Sequence, residues 1–291
     1  MKLPGPLVIG ALGGSGTRVV AQALIESGLH LGSDLNQALD NLWFTLLFKR
    51  PVWYAEVVEA QPGEIAVGFD ILTKAMAGTP QLSAAERAFI RKAMLQMAMR
   101  GHDHDHSGRG IWPIVRAQRL RAGAPPPAGS VGWGWKEPNS HILLPQLIEH
   151  FTELKFVYVV RHGLDMAYSD NRAQLYNWGA RLGVELPATE ASLPDAMLAY
   201  WVAATDRAIE LGAALGSRFL RLDYEALCAE PRTVLPQLLE FAGVTVDDAR
   251  LAKLAALPRS PRSIGRYRAQ RWQELNADNI EAVRRLGFAI D

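Results

Sequence analysis

The start of the chain limits the fold more than any other stretch. Pro6-Leu-Val-Ile-Gly-Ala-Leu12 is an unbroken apolar run that stops at Gly13-Gly14-Ser15-Gly16-Thr17-Arg18. A run this short suits a strand covered on both faces, as parallel strands are. From Thr17 to Ser27 the pattern turns helical, with Val19, Val20, Ala23 and Leu24 on one face and Gly28 closing the element. The chain therefore opens as strand, glycine-rich turn and helix. The glycines let several N–H groups point to one place, and the helix start adds partial positive charge. With the hydroxyls of Ser15 and Thr17 and the cation of Arg18, the turn is a candidate phosphate cradle.

The rest of the chain alternates in the same way. Asn36–Arg50 has a helical pattern that stops at Pro51, and Ser83–Arg100 is a helix opened by a Ser83/Glu86 capping box. Gly101–Gly108 and the proline-rich Ala122–Gly129 are loops. Regular structure resumes at Gly132-Trp-Gly-Trp-Lys136. Helices are expected over Ile142–Phe151, Gly163–Arg172, Pro194–Leu215 and Thr233–Ala242, and strands over Lys155–Val160 and Arg218–Leu222. Alternating strands and helices predict an α/β fold with a parallel sheet flanked by helices. A single domain over 1–291 is expected, with a helical and loop insert at about 36–130.

Charge and cysteine content remove several function classes. Lys and Arg total 31 against 30 Asp and Glu, a net charge of +1. Bulk charge therefore gives no reason to expect a nucleic-acid or membrane partner. The one cysteine, Cys228, excludes an intrachain disulfide and a cysteine-cluster zinc site. No apolar stretch reaches the ~20 residues that span a bilayer, and no cleavable leader is recognisable, so a cytoplasmic protein is expected. His102, His104 and His106 alternate with Asp103 and Asp105, a spacing that can bind zinc, but a solvated loop is the expectation and no metal is assigned.

Two familiar nucleotide motifs fit poorly. The triphosphatase loop needs Lys followed by Ser or Thr, where this chain has Thr17-Arg18-Val19. The dinucleotide pattern G-x-G-x-x-G is also missing. A second constellation begins at Arg161, at the end of the Lys155–Val160 strand, with Ser169 eight residues on. A guanidinium and a hydroxyl so placed can grip one phosphate from two sides.

The glycine loop together with a later strand ending in Arg-x7-Ser resembles the PAPS-dependent sulfotransferase family, of the bacterial type with a P-loop-like fold. PAPS is 3′-phosphoadenosine 5′-phosphosulfate. Trp135-Lys136-Glu-Pro138 resembles the family's Lys-x-Pro motif, and Phe151–Arg161 its strand leading to the 3′-phosphate arginine. Arg221–Glu225 through Phe241–Gly243 resembles its late strand–helix segment, so that Pro6–Leu29 and Gly132–Gly243 are covered. The resemblance implies sulfuryl transfer from PAPS to a hydroxyl acceptor, with PAP as the leaving product and no metal required. Gly13, Gly14, Ser15, Gly16, Thr17 and Arg18 would hold the 5′-phosphosulfate. Arg161 and Ser169 would hold the 3′-phosphate, and Arg266 and Tyr267 resemble a late loop that closes on the nucleotide.

One position departs from the pattern. Many members carry a cation directly before the hydroxyl of the first loop, where this chain has Gly14. Lys136, helped by Arg18, is the candidate to meet the leaving group's charge. Asp34 is the first candidate for general base and Asp40 the second, since the related branch places its catalytic acid after the first helix. The acceptor class stays open among small molecules, glycans and lipids, as does the oligomeric state. A P-loop nucleotide-dependent kinase and a non-catalytic nucleotide-binding homologue remain competing readings.

Overall fold

The computed structural model describes residues 3–78 and 80–291. Among the described residues, five strands form one sheet: β1 (Leu7–Ala11), β2 (Leu29–His30), β3 (Gly132–Lys136), β4 (Lys155–Val160) and β5 (Phe219–Asp223). Their order across the sheet is β2-β3-β1-β4-β5, and every pairing is parallel. The α/β class with a parallel sheet flanked by helices is thus the fold. β1 is central, with Ile9 opposite both Lys136 of β3 and Val157 of β4. The chain crosses from one side of β1 to the other between β3 and β4. That reversal opens a crevice at the carboxyl ends of the strands, where α/β sheets bind ligands.

Side-chain alternation along the strands builds two cores, one on each face of the sheet. Phe156, Tyr158 and Val160 of β4 join Val8 of β1 in a core with the helices between β2 and β3 and the long helix Leu193–Ala213. Val157 and Val159 join Leu7, Ile9 and Ala11 in a second core with helices Thr17–Glu26 and Pro231–Ala242.

Among its described residues, the insert between β2 and β3 holds five helices: Leu42–Phe48, Pro51–Ala60, Gly63–Met76, Ala84–Arg100 and Trp112–Ala122. The Ser83/Glu86 capping box forms as expected. Asn36–Arg50 is not one helix. The Asn36 side chain accepts from the N–H groups of Ala38 and Asp40 and ties them into a turn, while Asn41 caps the helix that starts at Leu42. Pro51 both stops that helix and opens the next, since its fixed φ and missing N–H suit a first helical turn.

The helix after β4 is also shorter than expected. It runs from Gly163 to Ala167 and stops before Ser169-Asp170-Asn171, three turn-forming residues. The Ser169 hydroxyl accepts from the Asn171 N–H at 3.2 Å, and helix resumes at Ala173.

Candidate active site

The glycine loop joins β1 to helix Thr17–Glu26 as a tight curl. Gly14 has φ +95° and Gly16 φ +84°, a region only glycine enters freely. Gly16 has a second constraint: a Cβ there would lie 2.1 Å from the Tyr224 ring. The helix start has no side-chain cap. Among the described residues, the N–H groups of Gly14, Gly16 and Thr17 find no protein acceptor. Ser15 and Thr17 are buried beside them, while Arg18 stands exposed on the first turn of the helix. An uncapped, ten-residue helix with idle N–H groups is arranged to receive an anion.

Arg161 leaves the end of β4 and reaches this loop. Its Nη1 donates to the Gly14 carbonyl at 3.0 Å, and its Nη2 donates to the Ser263 hydroxyl at 2.8 Å. Its Nε is buried without a hydrogen-bond partner. Ser169 lies alongside, its hydroxyl 3.6 Å from the position a Gly14 Cβ would take. Arg266 donates to the Tyr168 carbonyl at 3.1 Å, and burial, followed by repulsion from Arg161, holds its guanidinium below the ordinary range. The structure therefore brings Gly14, Arg161, Ser169 and Arg266 to one place. Because Ser169 sits in a bend, it reaches Gly14 from loop backbone and not from two turns down a helix.

Tyr267 is placed differently from the residue before it. Its ring is buried against His162, with centroids 4.7 Å apart, and its hydroxyl donates to Asp291 at 2.7 Å. It anchors the 263–267 loop. The Asp165 carboxylate fixes the same loop by accepting from the N–H groups of Gly265 at 2.7 Å and Tyr267 at 3.2 Å.

Lys136 ends β3 and is 2 % exposed. Its ammonium donates to the Ala38 carbonyl at 3.0 Å and pairs with the Asp40 carboxylate. The Asn36 turn delivers both partners. Asp34 is 3 % exposed, and one of its oxygens accepts from Arg116 at 2.5 Å and Arg119 at 2.7 Å. Asp34 thus joins the 31–41 segment to helix Trp112–Ala122, and Asp40, not Asp34, stands against Lys136.

Sequence reasoning missed Ser263, Glu225, Tyr224, Asp165, Arg116 and Arg119. Glu225 lies 3.8 Å from Arg161 Nε and accepts from the His162 N–H at 3.1 Å; burial pushes its carboxyl up to about 7. These residues come from segments distant in sequence, so no local spacing announces them. The three histidines of the 101–108 loop take separate partners: His102 pairs with Asp103, His104 stacks on Tyr176, and His106 meets the Arg100 carbonyl. No cluster of three or more His, Cys, Asp or Glu able to hold a metal occurs among the described residues.

Fold and site define a parallel α/β protein in which the glycine loop meets Arg161 at the tips of β1 and β4. The chain belongs to the sulfotransferase family, whose family model matches residues 6–248. It is similar in structure to the sulfotransferase domain of the Synechococcus PCC 7002 olefin synthase, at 18 % identity and TM-score 0.49, covering 100 % of this chain and 98 % of that one. It is similar to the sulfotransferase domain from the curacin biosynthetic pathway, at 17 % identity and TM-score 0.49, with 100 % of both chains covered. A sulfotransferase from Mycobacterium avium gives 15 % identity and TM-score 0.47, covering 100 % of this chain and 78 % of that one. No curated relative matches the sequence.

Proposed function

We propose that this sulfotransferase takes the sulfuryl group from PAPS and passes it to a hydroxyl of a small molecule, glycan or lipid. The carrying observation is the 3.0 Å contact between the Arg161 guanidinium and the Gly14 carbonyl. It puts the Arg161 guanidinium and the Ser169 hydroxyl beside the loop that carries the idle N–H groups of an uncapped helix. That donor set suits a ligand with two separate phosphate-type groups. Gly13 to Thr17 would hold the 5′ end, with Arg18 at its exposed side, and Arg161, Ser169 and Arg266 the 3′-phosphate. Tyr267 supports the loop from behind.

Bound there, PAPS supplies the sulfuryl group, and PAP is the product that leaves. The chain supplies position and charge, which dominate in loose transfer reactions of this type. Lys136 offers a buried ammonium, paired with Asp40, whose charge is uncompensated once Asp40 takes up a proton. It takes the place of the cation that Gly14 lacks. We assign proton acceptance from the acceptor hydroxyl to Asp40, which already touches Lys136. Asp34 keeps its two arginines and fixes the segment that carries Asp40.

A melting assay tests the reading. At one hundred times its Kd, PAP should stabilise the protein by ~2.7 kcal/mol, and PAPS with a panel of hydroxyl compounds should release PAP. Stabilisation by ATP with magnesium and none by PAP would favour the kinase reading and end this one. PAP binding with no turnover of any acceptor would favour a non-catalytic homologue.

A further inference from the structure

The near-zero net charge hides a local excess. Segment 84–122 carries eight Lys and Arg against three Asp and Glu, in a chain whose total is +1. Pairing removes Glu86, bound by Lys74, and Asp103, bound by Lys49, but also Lys92, bound to Glu64, and Arg116 and Arg119, bound to Asp34, which leaves Arg87, Arg91, Arg100, Arg109 and Arg121. Of the acids, only Asp105 stands exposed. The same segment and its neighbour Val52 supply five of the seven exposed large apolar residues: Val52, Leu95, Met99, Ile111 and Ile114.

These residues form one surface. Helices Ala84–Arg100 and Trp112–Ala122 pack together, and the Gly110 N–H donates to the Ala98 carbonyl at 3.4 Å, so the end of one helix meets the start of the other. Leu95 and Met99 share a helix face, as do Ile111 and Ile114. Met99 is 65 % exposed and Ile111 74 %. Further back on the same rows stand exposed basic residues, Arg87 and Arg91 on one helix and Arg121 on the other. The result is a helical hairpin whose polar 101–110 turn is flanked by exposed apolar residues, with exposed arginines further along both helices.

We infer that this hairpin docks on an anionic lipid surface. Leu95, Met99, Ile111 and Ile114 would enter the acyl boundary while the arginines meet the headgroups, the arrangement that gives interfacial binding its two terms. A second copy of this chain would bring like charges together, which disfavours self-docking. An acidic protein partner satisfies the charges but gives no reason for four exposed apolar residues beside them. Through Arg116 and Arg119 on Asp34, the hairpin is tied to the segment holding Asp40.

The test is co-sedimentation with phosphatidylcholine vesicles and with phosphatidylcholine–phosphatidylserine vesicles, without any sulfate donor, so its outcome is independent of the proposed reaction. We expect binding to the mixed vesicles, weakening with salt, and little to the neutral ones. The double variant Met99→Ser/Ile111→Ser should lose at least about tenfold in affinity, with melting point and PAP binding unchanged. Arg87→Gln/Arg91→Gln should weaken binding and lower the salt dependence. Absence of binding to mixed vesicles at low salt would overturn the inference. Equal binding to soluble polyglutamate, untouched by Met99→Ser/Ile111→Ser, would also overturn it by showing a charge-only surface suited to acidic proteins.

Discussion

Replacing Lys136 by Met separates its structural role from its proposed catalytic one. The Lys136 side chain is 3 % exposed and that of Asp40 20 %, so the two partners differ in access to water. Lys136→Met leaves a carboxylate that still reaches solvent and still accepts from Asn36 at 2.9 Å. Its cost should be that of one poorly satisfied group, about 1–3 kcal/mol. Asp40→Ala strands a buried ammonium on the Ala38 carbonyl alone, a loss of about 3–5 kcal/mol. The double variant removes both charges and should cost less than the two singles added together. Urea unfolding reads these differences. Turnover should behave otherwise: Lys136→Met should lose ~10²–10³ in kcat, about 2.7–4 kcal/mol of barrier, and the double variant should recover none of it. PAP binding should persist in both. If Lys136→Met turns over within about threefold of the parent, Lys136 does not meet the developing charge. If Asp40→Ala is the milder of the two in urea, the desolvation argument fails.

Three further outcomes follow from the site. Arg161→Ala should weaken PAP by roughly 10–100-fold, the worth of a hydrogen bond to a charged group, while AMP, which lacks the 3′-phosphate, changes little; calorimetric titration of both ligands separates the effects. Gly16→Ala, at φ +84° and 2.1 Å from the Tyr224 ring, should lower stability by about 1–3 kcal/mol and reduce PAP affinity, and Tyr224→Ala should relieve the clash but not the backbone strain. Burial raises Glu225 from 4.5 to about 7, so the native state keeps a proton that the unfolded chain has lost. Stability contributed there is present below pH 4.5 and falls as pH rises to about 7. Glu225→Gln should therefore gain stability relative to the parent across that interval. Buried His141, pushed down to about 3, acts in the opposite direction, so the difference between variant and parent is the quantity to measure; a flat difference would contradict the argument.

β1 and β4 were legible because they are apolar runs between turn residues, whereas the two-residue strand β2, Leu29–His30, carries no such run and was not expected. Lys155–Val160 needed no tertiary information, since every residue after Lys155 is buried and alternate residues serve the two cores. The convergence of the glycine loop with Arg161 was legible for a related reason: neighbouring parallel strands put their carboxyl ends on the same side. What escaped was set by side chains that compete with the helical backbone. Asn36 diverts 36–40 into a turn, and Ser169 and Asn171 break the helix after β4. Both diversions fall at the site, where Asp40 must face Lys136 and Ser169 must face Gly14. A local pattern records which residues favour helix, but not which functional partner rewards leaving it. The same limit explains Asp34 and Asp40. Both follow the first helix and both are acids, so sequence position ranks them nearly equally. What separates them is the helix Trp112–Ala122, some eighty residues further on, whose Arg116 and Arg119 occupy Asp34. Freeing Asp34 by Arg116→Ala/Arg119→Ala therefore tests the assignment. If Asp40 is the base, the double arginine variant should keep the pH dependence of turnover, and Asp40→Asn should abolish its carboxylate limb. A lost limb in Asp34→Asn with an intact one in Asp40→Asn would return the role to Asp34.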